Sequence, residues 1–219
     1  MTLDPITARR LADLSLPNGP LFVIDVDDVI VEFLGPLREM VREEGLELRL
    51  DTFGLNGNVL DETGEPVAGE RVSALIDRVF IEQERRQPLV AGALNGLTTL
   101  SRHGIVLLLT AMRHGHFDVR ERHLRALGVE APLVTTEGSK GRAIASLART
   151  HPVAFVDDMP YNHHDVDRHV PDATTIHFMS DRSIEPILPP LPERTHRAAD
   201  WAEVVEIALG GVADGTVRA

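Results

Sequence analysis

The sequence predicts an α/β protein: a doubly wound, three-layer sandwich with a mainly parallel five-stranded sheet and a small, mostly helical insertion. Three observations predict it. Short runs rich in Val, Ile and Leu alternate with stretches of helical periodicity, the pattern of strands joined by crossover helices. These runs are apolar throughout, as expected when helices cover both faces of a parallel sheet. The first two are separated by about 80 residues, where a single crossover needs little more than about a dozen.

Taken in order, residues 21–26 form the first strand. Residues 32–88 are the insertion. Its two ends, 33–44 and 70–86, are predicted to be helical, and in the second Val72, Leu75, Ile76, Val79 and Phe80 recur at helical spacing. Between them, 46–69 is rich in Gly, Asn and Asp, and 59–67 has the composition of a small hairpin. A helix over 91–102 then leads to a strand over 105–109. Further helix and strand pairs follow at 117–127 and 132–135, at 140–149 and 153–156, and at 163–169 and 174–178. Residues 180–195 contain Pro186, Pro189, Pro190 and Pro192 and are predicted to be irregular. A last helix covers 198–209. The implied division is a core of 1–31 with 89–219 and an insertion of 32–88.

Composition narrows the function classes. With 219 residues, 43% hydrophobic and 26% charged, the chain can bury a core, which excludes disorder as its main state. No apolar run approaches the roughly 18 residues of a membrane span, and the N-terminal stretch lacks an apolar segment behind a basic start. A soluble, cytoplasmic protein with no membrane partner is expected. Cysteine is absent, which excludes disulfides, thiolate metal sites and cysteine nucleophiles. The net charge of −12 argues against a nucleic-acid polymer as partner, because backbone phosphates select basic surfaces. A local site for a small phosphorylated ligand is compatible with it. Of the 22 Lys and Arg residues, only Lys140 is a lysine.

The first strand runs into Asp25, Asp27 and Asp28. Carboxylates crowded at the end of a buried strand repel one another and lose solvation, so a counter-ion is expected. The strand at 153–156 repeats the feature with Asp157 and Asp158. Two strands of one sheet that each end in paired aspartates point to a shared hard-cation site, and oxygen-only ligation suits Mg²⁺. The strand at 105–109 leads into Thr110, and the helix after 132–135 opens with Gly138-Ser139-Lys140-Gly141. A hydroxyl and an ammonium near the carboxylates supply what a phosphate needs. Ala111 and Arg113, just beyond Thr110, complete the candidate substrate contacts with Thr110 and Lys140.

In this order and spacing the residues resemble the haloacid dehalogenase-like superfamily, whose first motif is an apolar strand followed by Asp-x-Asp-x-Thr or Val. Asp25, Asp27 and Val29 match that motif, Thr110 the second, Lys140 the third, and Asp157 with Asp158 the fourth. The resemblance spans residues 21–178. It implies a phosphatase in which Asp25 attacks phosphorus to form an aspartyl-phosphate, Asp27 acts as general acid and base, and Thr110 and Lys140 hold the phosphoryl oxygens. It places Mg²⁺ between Asp25, the backbone carbonyl of Asp27 and Asp157, with Asp158 as a further ligand or an orienter of metal-bound water. The dehalogenases of the superfamily lack an acid/base Asp at the Asp27 position. The insertion corresponds to a type-1 cap. The continuation from Asp28 to Phe33 is similar to the 5'(3')-deoxyribonucleotidase branch, which brings nucleotides within the expected small phosphomonoesters.

Asp28 stands where Gly is frequent in that family, so a binding or regulatory protein without turnover is the alternative. A receiver-type phospho-acceptor is a further alternative, but the second acidic pair after Lys140 and the insertion count against it. His114, His116, His163 and His164 fall on loops at the edge of the expected site. A zinc or iron site is one interpretation, and ordinary loop histidines are the preferred one in a chain with ten. Asn162 and Asp165 are expected to support the loop after Asp158 or to cap the next helix.

Overall fold

Asp4 accepts the Thr7 amide at 2.8 Å and Pro5 takes the first helical position, which together start α1 (Pro5–Ala12). The structure, a computed structural model, describes residues 3–216, so the first two residues of the N-terminal stretch lie outside it. β1 (Leu21–Ile24) follows, then an insertion made of α2 (Leu34–Glu43), β2 (Glu47–Leu48), β3 (Val59–Leu60), α3 (Gly69–Ile81) and α4 (Gln83–Arg86). The chain then alternates through α5 (Ala93–Ser101), β4 (Ile105–Thr110), α6 (Phe117–Ala126), β5 (Leu133–Thr135), α7 (Lys140–Leu147), β6 (Val153–Asp157), α8 (Pro160–His169) and β7 (Thr174–His177). It closes with β8 (His196–Arg197) and α9 (Trp201–Thr216). Among the described residues no helix is long and apolar enough to cross a membrane.

One parallel sheet runs in the order β5-β4-β1-β6-β7-β8. Strand pleating sends alternate side chains to opposite faces, and the core divides accordingly. Phe22, Ile24, Val106, Leu108, Ala154 and Val156 pack with Leu97 and Leu100 of α5 and Trp201, Val204 and Ala208 of α9. Leu21, Val23, Leu107, Leu109, Val153 and Phe155 pack on the other face with Leu11 of α1, Ile144 of α7 and Val166 of α8. The predicted three layers and the five predicted strands are therefore present. The sixth strand, β8, was not expected, because its two residues are exposed and polar. Residues 180–195 form a 3₁₀ turn over Arg182–Ile187 and otherwise irregular chain.

The insertion has a core of its own, built from Leu37, Met40, Val41, Val59, Val72, Leu75 and Val79. Its predicted helices are α2, and α3 with α4. In the loop between them, the expected turn closes through Asp61, whose Oδ1 accepts the Thr63 and Glu65 amides, and a bridge joins Leu60 to Pro66. The strand that pairs with β3 is β2, which lay outside the predicted hairpin. The chain leaves and re-enters the core side by side: Val31 bridges Leu89, the Glu32 amide donates to the Pro88 carbonyl at 3.0 Å, and the Val90 amide to that of Ile30 at 2.8 Å.

Candidate active site

Parallel pairing sets Ile24 of β1 opposite Leu108 of β4 and Val156 of β6. The residues that follow these strands therefore emerge at one edge of the sheet. The Asp25 amide extends the ladder to the Val156 carbonyl at 2.9 Å, while Thr110 and Asp157 end β4 and β6. Lys140 enters from α7, where Ser139 caps the helix and accepts the Arg142 amide at 3.0 Å. Asp165 of α8 accepts both Ser139 Oγ at 2.7 Å and the Gly141 amide at 2.8 Å, which fixes the start of α7 against α8. Only glycine fits at 141, because a Cβ there would lie 2.4 Å from the Asp165 carbonyl oxygen.

Lys140 is 1% exposed, and its Nζ lies 2.6 Å from Asp25 Oδ1 and 2.7 Å from Asp157 Oδ2. The contact with Asp25 is an ion pair rather than an aligned hydrogen bond, and Asp25 Oδ1 has no hydrogen-bond donor. Asp25, Asp157 and Asp158 are all buried and offer carboxylate oxygens within 4.8 Å of one another. Burial pushes the Asp25 carboxyl up to about 7, against the pull of Lys140, and raises Asp158 well above the usual carboxylate range with Asp157 adding to the effect. For Lys140 burial works against the charge, but Asp157 and Asp25 outweigh it and the ammonium is held charged. When all three carboxylates are ionised, one ammonium leaves a buried excess of two negative charges. Buried, unbalanced and oxygen-only, this donor set fits a hard divalent cation.

Behind the carboxylates lies a second layer of fixed groups. Asn162 Nδ2 donates to both oxygens of Asp157, at 2.9 and 3.1 Å, and the Met159 amide donates to Oδ1 at 2.8 Å. His163 and His177, neighbours with ring centroids 5.7 Å apart, reach the backbone carbonyls of Asp157 and Asp158 at 2.9 Å each. Burial lowers both imidazoles, His177 to about 4, so each is neutral and donates its ring N–H to the carbonyl. These histidines brace the strand end. His164 is turned away to the Pro190 carbonyl.

The search of known structures returns proteins of this topology. A haloacid dehalogenase-like family hydrolase from Xanthomonas campestris superposes with a TM-score of 0.59 at 11% identity, covering 92% of this chain and 99% of its own. A phosphoglycolate phosphatase, so assigned by prediction, from Haemophilus somnus gives 0.60 at 12% identity over 88% and 99%. A Bacillus subtilis protein assigned as a HAD hydrolase and bound to magnesium gives 0.57 at 13% identity over 88% and 99%. The fold is that of the haloacid dehalogenase-like hydrolases. No family model and no curated protein sequence matches the chain, so the likeness is one of haloacid dehalogenase-like architecture at very low identity.

Within this fold the two remaining aspartates after β1 turn away from the buried acidic group. Asp27 Oδ1 accepts Arg120 Nη2 at 2.8 Å and Gln87 Nε2 at 3.0 Å, and Oδ2 lies 3.4 Å from Thr110 Oγ1. Asp28 occupies the left-handed region, φ 55, where an aspartate is tolerated because its short side chain bonds locally. Its carboxylate accepts the Phe33 and Leu34 amides, at 2.9 and 3.1 Å, and Ser180 Oγ at 3.0 Å. Burial nevertheless raises it to about 6. Asp28 thus joins the start of α2 to the segment after β7.

The loop after β4 meets the insertion. Ala111 is exposed. Arg113 Nη1 pairs with Asp77 of α3 at 2.5 Å, and His116 Nε2 reaches the same carboxylate at 3.1 Å. His114 lies between Asp4 and Thr135. Phe33 and Phe80 stack at 5.6 Å, and Phe80 also faces His116. Thr110, Asp25, Asp27, Lys140, Asp157 and Asp158 are thus brought together, and Arg113 is committed to the insertion. Sequence reasoning missed Arg120 and Gln87. Arg120 had a signal, since it sits three residues after Phe117 and four before Leu124 on the buried side of α6, where a charge is out of place. Gln87 lies in a connector without periodicity.

Proposed function

We propose that the protein is a phosphatase that hydrolyses a small phosphomonoester through an Asp25 phosphoenzyme, with Mg²⁺ held by Asp25, Asp157 and Asp158. The observation that carries this is the convergence at one sheet edge of a nucleophilic carboxylate, a second carboxylate two residues on, a hydroxyl, a buried ammonium and an acidic pair. When bound, the cation offsets the charge of the phosphoryl oxygens and of the carboxylates. Asp25 supplies the attacking oxygen, so one difficult displacement becomes two easier ones. Asp27, beside it but engaged elsewhere, transfers protons to the leaving oxygen and from the attacking water. Lys140 and Thr110 take the phosphoryl oxygens. Residues 32–88 act as a cap on a core of 1–31 and 89–219. Phe33 and Phe80 stack within the cap, with Phe80 buried and Phe33 half-buried, so nucleoside monophosphates belong among the substrates to test on the resemblance of residues 28–33 rather than on an open aromatic face. The bonding of Asp28 to α2 and Ser180 supports turnover, because its carboxylate is spent on the cap connection.

The deciding experiment is a panel of phosphate monoesters, nucleotides included, assayed with Mg²⁺ and again with excess chelator. Repeated turnover of at least one ester with Mg²⁺ and its loss with chelator is expected. At most one phosphoryl transfer per chain would instead make this a phospho-acceptor or an inactive relative.

The acidic group also predicts a pH-dependent response to the cation. Asp25 is raised from the ordinary 3.8 to about 7 in the folded state. The native protein therefore binds more protons than the unfolded one between these values, and this group's contribution to stability falls as pH rises through that window. A cation that requires the ionised carboxylates relieves the loss. The rise in melting temperature on adding Mg²⁺ should accordingly be larger at pH 8 than at pH 5. An equal rise at both pH values would argue against the cluster as its site.

A further inference from the structure

Asp27 is held mainly through one oxygen. Its Oδ1 takes both strong donors, Arg120 Nη2 at 2.8 Å and Gln87 Nε2 at 3.0 Å, whereas Oδ2 has Thr110 Oγ1 at 3.4 Å. Arg120 is wholly buried, and its Nε and Nη1 have no hydrogen-bond partner. Phe80 of α3 covers it, with the ring centroid 5.4 Å from the guanidinium carbon. Gln87 is 2% exposed and donates also to the Glu32 carbonyl at 2.9 Å, where the insertion begins. A guanidinium buried with two idle nitrogens is destabilising, and an apolar side chain on this face of α6 would be better tolerated. The bond it does make is to Asp27.

We propose that Arg120 and Gln87 are positioning residues that clamp Asp27 through Oδ1, leaving Oδ2 as the oxygen that carries the proton and keeping the carboxylate out of the Asp25, Asp157 and Asp158 group. This rests on the phosphatase assignment above. In the first half-reaction an Asp25 oxygen bonds to phosphorus as the ester P–O bond breaks, and the proton on Asp27 Oδ2 passes to the leaving oxygen, giving the alcohol. In the second, a water oxygen bonds to phosphorus as the aspartyl O–P bond breaks. One water proton returns to Asp27 Oδ2, and inorganic phosphate and the Asp25 carboxylate are released. A carboxylate free to rotate would present Oδ2 to the leaving oxygen only part of the time.

Leaving-group dependence separates this role from a purely structural one. A p-nitrophenolate leaves with little help from an acid, whereas an alkoxide needs the proton. In Arg120→Gln and Gln87→Leu, kcat/KM on an alkyl phosphate should fall about 100-fold and kcat/KM on p-nitrophenyl phosphate less than about tenfold, because kcat/KM reports the first half-reaction whereas the second is common to both esters. Asp27→Asn should give the same selectivity, and Arg120→Gln added to it should cost little more. A folded variant whose kcat/KM falls equally on both esters overturns the proposal. Where Arg120→Gln does not fold, Gln87→Leu decides on the same terms. A wild-type protein that turns over no ester of the panel defeats the phosphatase assignment and this proposal together, a result distinct from an equal fall in kcat/KM on both esters.

Discussion

Asp25→Asn is expected to lower phosphomonoester hydrolysis by about 10⁴-fold or more, because an amide cannot form the phosphoenzyme and no other carboxylate occupies its place. The same variant should fold. In the absence of a divalent cation it is expected to melt no lower than the wild type, since it removes a carboxylate that burial, Asp157 and Asp27 together oppose more than Lys140 favours. Lys140 keeps Asp157 as partner at 2.7 Å. The rise in melting temperature on adding Mg²⁺ should shrink, because one of three clustered ligands loses its charge. Activity that survives in Asp25→Asn would remove the residue from the mechanism whatever the melting curves show.

Lys140→Arg is expected to lose most activity, about 10²- to 10³-fold, as for removal of one preorganised electrostatic contact. The ammonium sits at 2.6 and 2.7 Å from two different carboxylates in a site 1% exposed. A planar guanidinium is broader, and its parallel donors suit one carboxylate rather than two set apart. Overpacking should lower stability by about 1–3 kcal/mol while leaving the protein folded. Lys140→Met is the harsher comparison: it strands two buried carboxylates, and breaking such pairs costs about 3–5 kcal/mol. Near-normal turnover by Lys140→Arg, with circular dichroism unchanged, would make the identity of the lone lysine incidental.

The strands were legible in the sequence because helices cover both faces of the sheet, so every residue of Leu21–Ile24 or Val153–Asp157 is buried and the runs carry few polar interruptions. The helix α1 was not, because its buried face carries only Leu11 and the polar Thr7, and Ile6 is exposed. Its signal was the cap Asp4 with Pro5. β8 has no apolar residue to announce it. At the site, acids at strand ends stand out because crowded carboxylates lack a structural excuse. The groups that orient them were harder to read. Asn162 was legible as a support of Asp157, but Asp165 instead fixes the start of α7, and the clamp on Asp27 joins residues 60 and 93 positions away along the chain. For Asp28, the family resemblance suggested a charge beside the cation site, whereas the backbone at φ 55 turns the carboxylate to α2.

The lone lysine gives the protein an uncommon experimental handle. Side-chain acylation by an amine-directed reagent has one possible target, and that target is sealed between two carboxylates. Modification of Lys140 then requires the site to open. Its labelling rate, read by peptide mass, is a clock for local unfolding of the sheet edge. A ligand that closes the site should slow that clock without any substrate being turned over.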